Sequence, residues 1–186
     1  MAKVCVCLAD GFEEVEGLTV VDILRRADQD VCMASVHGRL SVEGAHGIKV
    51  EADCTIERVD FSQMDMLVLP GGMPGTKNLG ACSLLTGQLS NFYKEGKMIG
   101  AICAAPSILG DLGLLEGKRA ACYPGFETRL RGASVTTERV AVDGNIITSR
   151  GVGTAIPFAL ALAGMMAGEE KAQEIKESII YGHVKE

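Results

Sequence analysis

The chain has no tryptophan, and aromatic residues make up only 4% of its 186 positions against 47% apolar ones. That excludes a core of stacked rings. Val, Ile, Leu, Ala and Met must build it instead, a composition that suits buried parallel strands. No cluster of basic residues occurs, and 18 basic against 24 acidic side chains leave a net charge of −6. Such a balance argues against nucleic acid or an anionic membrane as the main partner. Long apolar runs are missing too. The longest, residues 155–168, contains Pro157 and falls short of the roughly eighteen residues a spanning helix needs. The run from Met1 to Ala9 stops at Asp10-Gly11-Phe12-Glu13-Glu14, too short and too acidic for a signal peptide, so a cytoplasmic location is expected.

No CxxC pair is present, and the seven cysteines are an odd number without histidines at zinc-finger spacing. Free thiols in a reducing compartment follow, with Cys5, Cys7 and Cys32 expected as small core hydrophobes. A length of 186 residues suits one domain spanning 1–186, large enough to bury a core without metal or disulfide staples.

What is there alternates. Residues 3–9, 31–36, 66–69 and 98–102 read as buried strands, and 14–27 and 83–94 as helices. Residues 40–52 read as short strands around Gly44 and Gly47, and Asp143-Gly144-Asn145 as a hairpin turn. Two helices close the chain at about 153–167 and 169–181. The pattern predicts an α/β fold, mostly one parallel sheet with helices on both faces. In such folds the site lies beyond the carboxyl ends of the strands. Three strand ends stand out and are expected to converge: residues 10–16, 70–75 and 103–106.

Ile102-Cys103-Ala104-Ala105-Pro106 puts a thiol at a strand–helix junction among tiny neighbours, the cysteine counterpart of a nucleophile elbow. With Cys103-Ala104-Ala105-Pro106 opening a helix there, free amides and the helix dipole would favour a thiolate. Pro70-Gly71-Gly72 could turn backbone amides toward an oxyanion, although a plain turn uses the same residues. Glu13, Glu14 and Glu16 crowd the first strand–helix junction. Glu13 and Glu14 are expected to complement the helix dipole. Glu16, beside Val15, is expected to point inward, with a raised pKa and a proton to offer the sulfur. Tyr123 and Arg150 stand where they could line the same pocket, while His37, His46 and His183 sit in no motif.

These strand-end motifs together resemble the ThiJ/PfpI superfamily, closest to its DJ-one branch. The likeness runs through residues 9–16, 65–79, 101–106 and 148–155, nearly the whole chain. The resemblance implies a flavodoxin-like three-layer sandwich, a homodimer, and no metal or organic cofactor. It implies Cys103 as reactive cysteine, Glu16 as its protonated partner, and the amides of Gly72 and Ala104 as the anion site, beside Gly71. Two departures matter. Protease-like members carry a His after the cysteine where this chain has Ala104, so an intracellular protease is not expected. A His of the branch is replaced by Tyr123, and an Arg near its pocket by His46. The expected activity is cofactor-free conversion of small dicarbonyls such as methylglyoxal to hydroxy acids, or repair of glycated protein. The alternative is an oxidative-stress sensor or chaperone that uses oxidation of Cys103.

Overall fold

The computed structural model describes residues 1–182. In chain order the elements are β1 (Lys3–Leu8), α1 (Glu14–Arg26), β2 (Asp30–Ser35), β3 (Ser41–Glu43), β4 (Lys49–Glu51), β5 (Cys54–Thr55) and β6 (Met66–Leu69). Then come α2 (Gly75–Ala81), α3 (Ser83–Glu95), β7 (Met98–Ile102), α4 (Pro106–Asp111), β8 (Arg119–Ala120) and β9 (Ser134–Val135). The chain continues with β10 (Val140–Asp143), β11 (Ile146–Ser149), α5 (Ala155–Ala167) and α6 (Glu169–Ser178).

Seven strands form the central sheet in the order β10-β11-β7-β6-β1-β2-β5. Every neighbour pair is parallel except the β10–β11 hairpin. Successive residues of a strand face opposite sides of a sheet, and β1 shows it. Val4, Val6 and Leu8 join one core with α1 and α5, while Cys5 and Cys7 join the other with α3 and α4. The sheet is thus covered on both faces, as its apolar, nonalternating strands require. At Gly100 of β7 a Cβ would come within 3.2 Å of both Phe158 and Leu162 of α5, so the small residue lets that helix lie close.

Several expectations are corrected. The helix after the elbow starts at Pro106, not Cys103, and has only six residues. α2 was not foreseen, because Gly75, Gly80 and three polar residues in it mask any apolar period. The short β5, β8 and β9 carry no readable pattern at two residues each. Cys32 is partly exposed rather than a core residue. His37 is structural, its Nε2 accepting the Asp10 amide at 2.8 Å, and His183 lies outside the described residues. No helix of the described residues is long and apolar enough to cross a membrane.

Candidate active site

The three strand ends meet. The Glu13 amide donates to the Gly71 carbonyl at 2.9 Å, and the Gly75 amide to the Gly11 carbonyl at 3.1 Å. A fourth end joins them, with the Cys103 amide on the Ser149 carbonyl at 3.0 Å. The Tyr123 amide donates to the Cys103 carbonyl at 2.8 Å, so the elbow is held from both sides.

Cys103 has φ of +65°. That left-handed conformation is rare for a residue with a side chain, and it turns the thiol off the end of β7. Glu16, in the first turn of α1, is fully buried. Its Oε2 accepts the Gly71 amide at 2.9 Å, and Oε1 has no hydrogen-bond partner among the described residues. A Cβ on Gly71 would stand 2.5 Å from Cys103 Cβ, 2.7 Å from Glu16 Oε2 and 3.0 Å from Cys103 Sγ. Thiol and carboxyl therefore face each other across the space that a side chain at 71 would fill. Gly71→Ala should displace one of them. Overpacking of this kind costs about 1–3 kcal/mol, and urea denaturation should show that loss together with slowed Cys103 alkylation.

Burial raises the Glu16 pKa to about 7, against the Gly71 amide and the Cys103 thiol, which lower it. Burial likewise pushes Cys103 up to about 12; the Glu16 carboxylate adds to that, and the amides of Gly72 and Ala104 pull it down. Two acids facing each other out of water resist ionising together and titrate as a unit. The pair as a whole gives up its first proton near pH 7. The helix dipole adds little here, since α4 starts three positions past the thiol and has only six residues.

Above the pair opens a cleft of about 590 Å³, lined by Glu13, Glu16, Gly72, Met73, Cys103, Ala104, Tyr123 and the turn 150–154. Tyr123 is half exposed at its rim. Thr154 fixes the turn, its Oγ1 accepting the amides of Arg150 and Gly151 at 3.2 and 3.0 Å. Arg150 Nε is buried without a hydrogen-bond partner among the described residues, a feature no sequence pattern announces.

His46 does not line this cleft; its side chain is 68% exposed and pairs with Glu14, Nδ1 to Oε2 at 2.9 Å. Glu14 in turn is buried, not a solvated dipole partner, and its Oε1 accepts the His46 amide at 2.7 Å. It pins the β3–β4 hairpin over the start of α1, packed so closely on Gly44 that a Cβ there would meet its Oε1 at 2.3 Å. Among the described residues, Glu13, Glu14 and His46 form the one group whose ligand atoms lie within 4.8 Å of one another. Glu14 spends both oxygens on His46 there.

A doubly covered parallel sheet whose elbow cysteine faces a buried glutamate defines a class: flavodoxin-like α/β proteins with a cysteine at the strand–helix elbow. The model of the DJ-1/PfpI family matches residues 2–165, and the chain belongs to that family. It is 39% identical over 180 residues to Protein DJ-1 homolog B of Arabidopsis thaliana, covering 96% of this chain and 41% of that protein. The chain thus spans less than half the length of its Arabidopsis relatives. Glutathione-independent glyoxalase DJR-1.2 of Caenorhabditis elegans is 30% identical, with 88% of this chain and 87% of that one covered. The solved structure of oxidized Toxoplasma gondii DJ-1 superposes with a TM-score of 0.94 at 37% identity, covering 98% of this chain and 100% of that one.

Proposed function

We propose that the protein is a cysteine-dependent glyoxalase that needs no cofactor and converts small dicarbonyls such as methylglyoxal, free or attached to protein, to hydroxy acids. The observation that carries this reading is the thiol facing a carboxyl with a pKa near 7, since an acid–base group works best when its pKa lies near the working pH. The glyoxalase name of the Caenorhabditis elegans relative agrees with it.

In this mechanism Glu16 takes the Cys103 proton as the sulfur attacks the aldehyde carbon. The oxygen of the resulting hemithioacetal is held by the amides of Gly72 and Ala104, which also pull the Cys103 pKa down. Glu16 passes the thiol's proton to that oxygen, then removes the proton from the former aldehyde carbon and returns it to the neighbouring carbon, while the hydroxyl proton crosses to the neighbouring oxygen. The product is a lactyl thioester, an internal redox exchange that requires no outside electrons. Water cleaves the thioester and frees the thiol. Arg150, with its unpaired buried Nε at the cleft, suits the carboxylate that this step releases. A cytoplasmic homodimer belongs to the same proposal, and a protease does not, because Ala104 offers no base.

Purified protein given methylglyoxal without glutathione should produce lactate continuously. Absence of lactate from folded protein with a free Cys103 overturns the proposal. A second reading, oxidation sensing at Cys103, draws on the oxidized state named for the Toxoplasma gondii relative. It becomes the better one if peroxide modifies Cys103 while no lactate forms.

A further inference from the structure

A second pair of thiols lies far from the cleft. Cys32 in β2 and Cys54 in β5 have their sulfurs 3.3 Å apart, and both are partly exposed. β5 is a two-residue edge strand whose one sheet neighbour among the described residues is β2, with Cys54 in register with Ala34. Cys32 lies two residues before Ala34 and so on the same face. Asp53 holds the two strands together: its amide donates to the Met33 carbonyl at 2.9 Å. Its Oδ2 accepts the Met33 amide at 2.8 Å and the Arg25 guanidinium at 3.2 Å. β2 stands three strands from β7 in the sheet, about 14 Å at the usual strand spacing.

We propose that Cys32 and Cys54 form a reversible disulfide when the protein meets a peroxide, a modification site separate from Cys103. A disulfide needs its sulfurs at about 2.05 Å. Side-chain rotation closes the remaining gap, and a short edge strand leaves room for it. The other close pair, Cys5 and Cys7 at 3.8 Å, is fully buried and out of a peroxide's reach.

The chemistry balances with a peroxide as oxidant. The Cys54 sulfur attacks the O–O bond, which breaks; a sulfenic acid forms on Cys54, and water, or the alcohol from an organic peroxide, leaves. Two electrons have passed from sulfur to oxygen. The Cys32 sulfur then attacks the sulfenic sulfur, the S–O bond breaks, the S–S bond forms, and the Cys32 proton departs with the hydroxide as water. Burial and the adjacent Cys54 raise the Cys32 pKa, which makes Cys32 the poorer first nucleophile.

The bond would close residues 32–54 into a loop. That loop carries the β3–β4 hairpin, whose Glu43 carbonyl accepts the Gly11 amide at 2.7 Å and whose Ala45 amide donates to Phe12 at 2.8 Å. Oxidation at the sheet edge therefore tethers the hairpin that rests on the turn before Glu16.

Trypsin places each cysteine alone on its own peptide, residues 27–39 and 50–58. Reduced protein is treated with graded hydrogen peroxide, quenched with an alkylating agent, digested and mapped by mass spectrometry. The expected result is a linked 27–39/50–58 peptide two hydrogens lighter than the sum, replacing most of the alkylated pair and lost on adding dithiothreitol. It should form equally in Cys103→Ser, which separates this site from the proposed glyoxalase chemistry, and be absent in Cys54→Ser. Recovery of both peptides as alkylated thiols while Cys103 gains oxygen overturns the proposal. So does a link to the Cys5–Cys7 peptide, or a link found only between two chains.

Discussion

Replacing Glu16 by Gln should move two observables in opposite directions: turnover of methylglyoxal falls about 10²–10⁴-fold, the usual worth of a general acid–base group, while Cys103 alkylates faster. The amide keeps the size of the carboxyl and can still donate to the sulfur, but it cannot carry a proton between carbons. It also removes the negative charge that helps hold the thiol's pKa up, so more thiolate is present at a given pH. A merely structural Glu16 would lower both rates together, and that result would sink the assignment.

The same variant has a stability signature. The buried carboxyl has its folded pKa raised from 4.5 to about 7, so between those values the folded state binds more protons than the unfolded one. Stability therefore declines as pH rises across that window and levels off above it. The lost amount is on the order of 3 kcal/mol at 1.36 kcal/mol per pKa unit. Gln does not titrate, so urea midpoints of Glu16→Gln should stay flatter from pH 4.5 to 8 than those of the parent chain. A parallel decline in both would place the titrating group elsewhere.

Cys103→Ser should take turnover to the uncatalysed rate, a loss of at least about 10³-fold. A hydroxyl is far less acidic than a thiol, and Glu16, with a pKa near 7, cannot draw its proton off to a useful extent. The left-handed backbone and the bonds from Ser149 and Tyr123 are unaffected by the change of one atom. Circular dichroism and urea midpoints should accordingly match the parent. Residual lactate production at a tenth of the parent rate would mean that another nucleophile acts, with Cys122 on the neighbouring segment the first to replace.

Much of this arrangement was legible in the chain because it depends on local signals. β7 matches its expected bounds because Lys97 and the elbow bracket a continuous apolar run. Glu16, expected to point inward beside Val15, does face the thiol, although Val15 itself is exposed. Glu14 could not be read, because the histidine that engages it lies 32 residues away. The placement of His46 in the pocket failed for the same reason: nothing local says which way a hairpin folds over a helix. The helix after the elbow contributes less dipole than expected, because a proline marks where a helix starts, not how long it runs, and this one has six residues. Cys32 and Cys54 approach only through a strand of two residues, too short to show a period.

The backbone at Cys103 also bears on any attempt to engineer this protein. An L-residue in the left-handed region carries about 1–2 kcal/mol of strain that glycine escapes, and φ there is +65°. A glycine at 103 would therefore relieve the chain at the very position its proposed chemistry needs. Selecting variants for thermal resistance alone would reward loss of the thiol, so any such screen must be run under a demand for turnover.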